Sequence, residues 1–341
     1  MPKPKKSQAF ARPESIVVVM SMRLGSEEEI KNEFRSLDAD ISMLRLFNPH
    51  TQWLVQVVLT NFSLLHLLNE QILHLARNSA MLEIKISNDL FNKFVFVYEC
   101  LDVISKYDFL LLKDNDIRLA GFEWNTFLNR RGTSEISAPY VIGIEGLTGR
   151  KKRSIHASKK TTNYEIGFQD GALFNPYRSK RFQRIATIPV MMLEMFMVFM
   201  RSEFALWFFR QVLTRDFLSS GVDWGPDLMR CAAAYDFQKR NVSIQPFPCS
   251  LVSVNVKHFD TRQIIKSHEY VESGNRLIDG LKKRFATKQW MKTNPTSRVY
   301  FHQLWHWCKK NSKGSAVIDC LEDFHLGKIK QYSSSLNMTF H

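Results

Sequence analysis

The spacing of apolar residues predicts a strand, a turn and a helix at the start of the ordered chain. Residues 15–22 follow Pro13 as a short, β-branched apolar run, which is typical of a buried strand. Gly25 and Ser26 interrupt this run, and Ser26 followed by three glutamates is typical of an N-cap, so a helix is predicted to about Leu37. This order is how a nucleotide-binding βα unit begins, although the sequence lacks the G-x-G-x-x-G of dinucleotide sites.

The same analysis predicts alternating strands and helices further along the chain. In order, the predicted elements are a strand over 41–47, one or two helices over 52–77, a strand over 81–86, a helix over 88–105 and a strand over 107–112. Alternation of this kind favours an α/β fold with a mostly parallel mixed sheet flanked by helices. Ligands are then expected at the carboxyl ends of the strands.

The second half of the chain has a weaker pattern. Residues 132–186 are rich in Gly, Ser, Lys and Arg and predict a long loop region. An aromatic-rich helix is predicted over 202–218 and a last strand over 251–256. We therefore expect a flexible basic N-terminus over 1–14, a catalytic domain over 15–262 with a basic loop over 149–185, and a helical basic C-terminal extension over 263–341.

Composition and cysteine usage limit the class of protein. With 341 residues, 45% of them apolar, the chain can bury a large core. No signal peptide or transmembrane segment is evident, because the basic N-terminus has no apolar region behind it. Five cysteines without C-x-x-C spacing predict free thiols in a reducing compartment, and so a cytoplasmic or nucleocytoplasmic protein.

The net charge of +14 is concentrated in one segment. Residues 150–184 carry ten Lys or Arg against two acids, and their basic side chains include Arg150, Lys151, Lys152, Arg153, Arg181 and Arg184. Such a segment either attracts a polyanion, such as nucleic acid, an anionic glycan or a nucleotide phosphate, or is a solvated loop.

The first candidate for chemistry is Asp114-Asn115-Asp116, directly after the apolar run 107–112. Two carboxylates at the end of a strand can bind Mn²⁺ or Mg²⁺, and the cation can in turn hold a diphosphate. An acidic turn without function is the alternative. The position after a buried strand favours the functional reading, because ligands of open α/β sheets bind at that edge.

Asp227 and His258 are two further candidates. Asp227 follows Gly225 and Pro226 at a predicted helix start, where it could accept a proton from an acceptor hydroxyl or simply complement the helix dipole. His258 follows the last predicted strand, where it is either a metal ligand or an ordinary surface or core histidine.

These elements together carry a resemblance to known families. Asp114 and Asp116 after residues 107–112 resemble the D-x-D of GT-A glycosyltransferases. The order of elements is also similar to that of an uncharacterised plant and bacterial glycosyltransferase-like family. The matching elements are Ile136 to Pro139, Glu194, the aromatic-rich stretch 201–217, Trp224-Gly225-Pro226-Asp227 with Cys231 and Ala232, and Val256-Lys257-His258.

The resemblance implies a GT-A-like, nucleotide-sugar-binding domain and a set of roles. It implies a metal and a nucleotide diphosphate at Asp114 and Asp116, with His258 as a further metal ligand and Asp227 near the acceptor hydroxyl. The donor is expected to be a UDP-sugar, and Arg23, just after the first strand, either contacts its nucleotide or is an ordinary surface arginine. Asp227 would act as base if the transfer inverts configuration, and Asp227 or Glu194 would stabilise an oxocarbenium-like centre if it retains it.

The acceptor and the class of function stay open at this point. A hydroxymethylated DNA base or a glycan would suit the basic segment, and a base inside DNA has to leave the stack to react. Paired aspartates with a basic surface also fit a metal-dependent nuclease or other phosphoryl-transfer enzyme. A non-catalytic nucleic-acid-binding protein is the third class.

Overall fold

The computed structural model describes one sheet and the helices packed on it. The described residues are 14–78, 81–87, 93–132, 134–144, 186–189, 193, 196–213, 218, 227–240 and 248–259, with the single positions 272, 276 and 310. Its strands are β1 Ile16–Leu24, β2 Gln52–Leu59, β3 Leu82–Ser87, β4 Phe109–Asp114, β5 Ile117–Arg118, β6 Ile136–Ile144, β7 Thr187–Pro189, β8 Met197–Arg201 and β9 Cys249–Phe259. Its helices are α1 Glu27–Phe47, α2 Leu65–Asn78, α3 Lys93–Glu99, α4 Leu101–Ile104, α5 Trp124–Arg130, α6 Ser202–Trp207 and α7 Asp227–Arg240, with a 3₁₀ turn at Phe62–Leu64 and a π-helical turn at Phe208–Val212.

The sheet is mixed and mostly parallel, as the sequence predicts. Its strand order is β3-β2-β1-β4-β8-β6-β9-β5, and β7 pairs with β9 beside this path. Strands β1 to β4 are parallel to one another. Strand β8 runs antiparallel between β4 and β6, and β6 and β9 are again parallel. The α/β class is therefore confirmed, and the carboxyl ends of β1 to β4, β6 and β9 share one edge.

The sheet lies between two layers of helices. Alternate residues of β1 belong to different cores: Val17 and Val19 face one cluster, Ile16 and Val18 the other. Helices α3, α4, α6 and α7 contribute buried residues to the first cluster, and α1, α2 and α5 to the second. The central strands are buried on both faces, which explains why they are apolar at almost every position.

The turn from β1 into α1 forms as its sequence indicates. The side chain of Ser26 accepts a hydrogen bond from the Glu29 amide at 3.2 Å, and Glu29 Oε2 accepts one from the Gly25 amide at 2.7 Å. A Cβ atom at Gly25 would lie 2.6 Å from Thr60 Oγ1, so glycine at this position leaves room for the Thr60 side chain.

Two element assignments were wrong. Helix α1 continues to Phe47, so 41–47 is not a strand: Leu37, Ile41 and Leu44 continue a helical spacing and are buried. Residues 52–59 are strand β2 rather than helix, because every position from Trp53 to Leu59 is buried between β1 and β3, which a helix with one apolar face does not require. The helix over the rest of that segment is confirmed as α2.

Other expectations are met in part. The strand at 81–86 is confirmed as β3, the strand at 107–112 as β4 and the last strand as the longer β9. The predicted loop over 132–186 contains strand β6, while 145–185 and the N-terminal 1–13 lie outside the described residues. The predicted helical extension also lies outside them, except for three helical positions. Among the described residues no helix is long and apolar enough to cross a bilayer.

The expectation of five free thiols was wrong for two of them. Cys231 on α7 and Cys249 at the start of β9 form a disulfide, with their Cα atoms 5.6 Å apart. The docking of α7 against the start of β9 brings these residues together, and no local spacing reveals it. Because disulfides persist in oxidising compartments, cysteine usage no longer argues for a reducing compartment.

Candidate functional site

The turn between β4 and β5 presents two carboxylates at the carboxyl edge of the sheet. Strand β4 ends at Asp114, Asn115 and Asp116 form the turn, and β5 begins at Ile117. The amide of Asp114 donates to the carbonyl of Phe196 at 2.8 Å, just before β8. Strand β4 lies in the middle of the sheet, so the turn occupies the edge at which an open α/β sheet binds ligands.

Helix α1 holds both ends of this turn through one buried carboxylate. Asp40 Oδ1 accepts a hydrogen bond from the amide of Leu119 at 2.8 Å. Asp40 Oδ2 lies 3.1 Å from Nζ of Lys113, and both side chains are buried. Since Lys113 precedes the turn and Leu119 follows it, Asp40 limits how far the two ends can separate.

A second carboxylate of α1 contributes through Arg118. Glu33 lies two helical turns before Asp40, on the same side of the helix, and its Oε2 is 3.3 Å from Nη2 of Arg118. Arg118 also donates to the carbonyl of Asn115 inside the turn. Its guanidinium lies 5.8 Å from the ring centroid of Phe259 on β9. The turn is thus tied to α1 and β9 as well as to its own strands.

Strand β9 brings His258 to the turn. His258 is the register partner of Ile117, the residue that follows Asp116. The amide of Phe259 donates to the carbonyl of Asp116 at 2.9 Å. The backbone therefore places the predicted histidine next to the predicted aspartates, although the side chain of His258 lies outside what the structure describes.

Lys93 is a site residue that sequence reasoning missed. It is the first residue of α3, and its Nζ lies 2.9 Å from Asp114 Oδ1. The side chains are 11% and 26% exposed, respectively. The only signal in the sequence is a lysine inside the aromatic run Phe91-Asn92-Lys93-Phe94, shortly after a predicted strand. Nothing local shows that this lysine faces Asp114.

Arg23 lies at the same edge of the sheet. It is exposed near the end of β1, two residues after Ser21, the register partner of Asp114. The structure thus brings Arg23 and the aspartates to one edge, as a shared ligand would require.

Asp227 is the first residue of α7, as predicted, but its side chain lies outside the described residues. Helix α7 docks through buried Arg230, whose Nη2 donates to the carbonyl of Leu193 at 2.7 Å. Leu193 and Phe196 are three residues apart, so their Cα atoms are within about 11 Å of each other. The first turn of α7 is therefore held near Phe196, whose carbonyl accepts the hydrogen bond from the Asp114 amide.

The remaining predicted site residues are not described. Glu194 lies outside the described residues, and so does the basic segment with Arg150, Lys151, Lys152, Arg153, Arg181 and Arg184. Their roles stay predictions.

The donor set at the turn fits a divalent cation. Among the described side chains no three His, Cys, Asp or Glu residues form a cluster, and the side chain of His258 is not among those described. Mg²⁺ in nucleotide sites, however, commonly uses one or two carboxylates and takes its other ligands from phosphates and water. The ammonium of Lys93 contacts Asp114 Oδ1 at 2.9 Å, so this oxygen already pairs with one positive charge.

Comparison with known proteins gives only distant similarity. No protein-family model matches this sequence. No curated protein matches it either.

The solved structures that are similar to this chain at low identity include three glycosyltransferase complexes. GalNAc-T7 with UDP, GalNAc and Mn²⁺ aligns with a TM-score of 0.44 and 11% identity, over 91% of this chain and 54% of that chain. S. aureus TarS in complex with UDP aligns with a TM-score of 0.42 and 12% identity, over 95% of this chain and 76% of that chain. The mannosyltransferase PcManGT from Pyrobaculum calidifontis, with GDP-Man and Mn²⁺, has a TM-score of 0.41 and 9% identity, over 95% of this chain and 83% of that chain. This chain spans about half the length of the first, and alignments this distant assign no residue role.

Proposed function

We propose that this protein is a glycosyltransferase that moves a sugar from a nucleotide-sugar, with a UDP-sugar as the expected donor, to an acceptor hydroxyl. The observation that carries the proposal is the turn Asp114-Asn115-Asp116 at the carboxyl end of a central strand. Arg23 lies at the same edge, and β9 brings His258 into register beside the turn. The resemblance of this turn to the D-x-D of GT-A enzymes supports the same assignment.

Asp114, Asp116 and His258 are the residues proposed to hold Mn²⁺ or Mg²⁺ together with the donor diphosphate. When bound, the cation neutralises negative charge that develops on the departing nucleoside diphosphate. The protein's own contribution is to fix the turn. The ion pairs of Asp40 with Lys113 and of Glu33 with Arg118 hold it in place before the donor arrives, so little ordering remains to be done on binding.

The acceptor side is proposed to be formed by the start of α7. Asp227 would accept the acceptor's proton in an inverting transfer. In a retaining transfer, Asp227 or Glu194 would instead stabilise the oxocarbenium-like centre. Arg23 would contact the nucleotide, and its exposure at the same edge of the sheet supports this role.

The acceptor itself is proposed to be polyanionic or glycan-like. The charge of segment 150–184 supports this, since ten basic residues against two acids attract phosphate or sulfate groups. Hydroxymethylated DNA and anionic glycans both provide hydroxyls with such neighbours. Charge neutralisation at Arg150 to Arg153 would weaken acceptor binding and leave donor binding unchanged.

A thermal-shift screen of UDP-, GDP- and CDP-sugars with and without Mn²⁺ tests the proposal. We expect a UDP-sugar to raise the unfolding temperature of the wild type, and Asp114→Asn and Asp116→Asn to lose most of this shift. Asp102→Asn is the matched control, because it removes an aspartate that is 98% exposed on α4. Stabilisation by no nucleotide-sugar would contradict the assignment, and metal-dependent cleavage of DNA or RNA would favour the nuclease alternative.

A further inference from the structure

Lys93 brings a tethered positive charge to one of the two carboxylates of the turn. Its Nζ lies 2.9 Å from Asp114 Oδ1, and its side chain is only 11% exposed. The next residue, Phe94, is fully buried and packs against Phe209 with ring centroids 6.2 Å apart. The backbone of Lys93 is therefore anchored in the core, and its ammonium can reach only groups near this edge of the sheet.

The turn is held from both faces of the sheet, but by different kinds of contact. On one face, α1 binds the flanks of the turn through Asp40 and Glu33. On the other face, Lys93 of α3 contacts a carboxylate of the turn itself. The α1 contacts thus hold the turn in position, whereas the α3 contact places a positive charge beside a proposed ligand.

A lysine ammonium and a divalent cation at the same carboxylate repel each other and compete for the lone pairs of its oxygens. Metal binding to the bare turn then requires Lys93 to retreat or to tolerate a nearby double charge. A nucleotide diphosphate bound at this edge would remove this conflict, because its oxygens would give Lys93 a second anionic partner. Lysine is a common phosphate ligand on account of its compact, mobile charge.

We propose that Lys93 is an internal counter-cation of Asp114 that suppresses divalent metal binding until a nucleotide diphosphate is present. The proposal rests on the proposed function, since it assumes that Asp114 belongs to a donor site. It goes beyond that function by making metal and donor bind as a coupled pair. By linkage, a donor that raises the affinity for the metal has its own affinity raised by the same factor.

The prediction for a neutral variant follows from this coupling. Lys93→Met keeps the length and apolar character of the side chain and removes its charge. We expect Mn²⁺ to bind to this variant about tenfold more tightly than to the wild type without nucleotide, and the enhancement of Mn²⁺ affinity by UDP to shrink by a similar factor. Lys93→Arg keeps the charge and is expected to resemble the wild type.

The experiment measures free and bound Mn²⁺ by electron paramagnetic resonance on the full chain, with and without UDP. Lys93→Gln provides a second neutral substitution, and circular dichroism with urea unfolding checks that each variant is folded. Lys85→Met is the matched control. Lys85 of β3 pairs with Glu99 of α3, and both of these side chains are about half exposed. This substitution removes the same charge without touching Asp114.

Each outcome decides for or against the counter-cation. Tighter Mn²⁺ binding in Lys93→Met and Lys93→Gln, but not in Lys93→Arg or Lys85→Met, supports it. Equal Mn²⁺ affinity in wild type and both neutral variants overturns it, even if UDP and Mn²⁺ bind together and the glycosyltransferase proposal stands. Mn²⁺ binding to none of the proteins also overturns it. Tighter Mn²⁺ binding in the neutral variants without any effect of UDP would also overturn the proposal, because the nucleotide would then not relieve the suppression by Lys93.

Discussion

The ammonium of Lys113 lies 3.1 Å from Oδ2 of Asp40, and the two side chains are 1% and 3% exposed. This ion pair joins Asp40, in the C-terminal half of α1, to Lys113, the residue of β4 directly before Asp114. Burying two charges is costly, and the cost is offset only when their geometry and hydrogen bonds are good. Asp40 meets this condition by also accepting the amide of Leu119.

Removing Lys113 should destabilise the protein strongly. Lys113→Met leaves the carboxylate of Asp40 buried without its counter-charge, and we expect a loss of about 3–5 kcal/mol in the free energy of unfolding. Urea denaturation measures this loss. Lys31→Met is the control, because it breaks an exposed pair with Glu27 on the same helix and should cost about 0.5 kcal/mol or less.

A double variant separates the cost of the unpaired Asp40 charge from the loss of the Lys113 side chain itself. Adding Asp40→Asn to Lys113→Met removes the stranded charge, while the new amide oxygen can still accept the amide of Leu119. Part of the lost stability should therefore return. A Lys113→Met loss no larger than that of Lys31→Met would contradict the role of the buried pair.

The disulfide between Cys231 and Cys249 should contribute measurable stability. It closes a segment of sequence separation 18. By the chain-entropy estimate for a loop of this size, its removal should cost about 3 kcal/mol. We expect Cys231→Ala with Cys249→Ala to lower the urea midpoint of unfolding. Reductant should lower the wild type to the same midpoint and leave the double variant unchanged, whereas a wild type indifferent to reductant would show that the two thiols are not joined.

Glu135 should make stability fall as pH rises. Burial raises the pKa of Glu135 above its ordinary value of 4.5, and the hydrogen bond from Gln238 and the charges of Arg201 and Arg131 only partly oppose this effect. The folded protein then holds a proton that the unfolded chain has already lost, so stability decreases from about pH 4.5 upward until the folded pKa is passed.

Glu135→Gln tests whether Glu135 makes the stability of the protein fall as pH rises. The substitution keeps an oxygen that can accept from Nε2 of Gln238, which lies 3.3 Å from Glu135 Oε1, and removes the titration. The stability of wild type relative to the variant should decline across that pH window in urea titrations. A relative stability that rises with pH would mean that the ionised carboxylate is favoured by the fold.

Several parts of the fold and site are encoded locally. Residues 15–22 are apolar and β-branched enough to indicate β1 without information from the rest of the chain. Ser26 and Glu29, three positions apart, form the N-cap of α1. The run before Asp114 indicates β4 in the same way. The position of two aspartates after such a strand was enough to select them as the candidate site, because carboxyl ends of strands are where these sheets bind ligands.

Other features required the folded chain. The stretch 52–59 and the end of α1 were misassigned because a short apolar segment suits a strand or a helix equally, and burial on both faces or one decides between them. The contacts of Asp114 with Lys93, of Asp40 with Lys113 and of Cys231 with Cys249 join residues far apart in the chain.

By itself, the sequence determined the α/β class, the first strand with its capped helix, and the chemistry available at Asp114 and Asp116. The tertiary structure decided that β9 lies beside that turn, so that His258 is in register with Ile117, and that Lys93 contacts Asp114. The physical reason is one of range. Caps and periodicity act within a few turns of chain, whereas strand order and buried ion pairs depend on how whole elements pack.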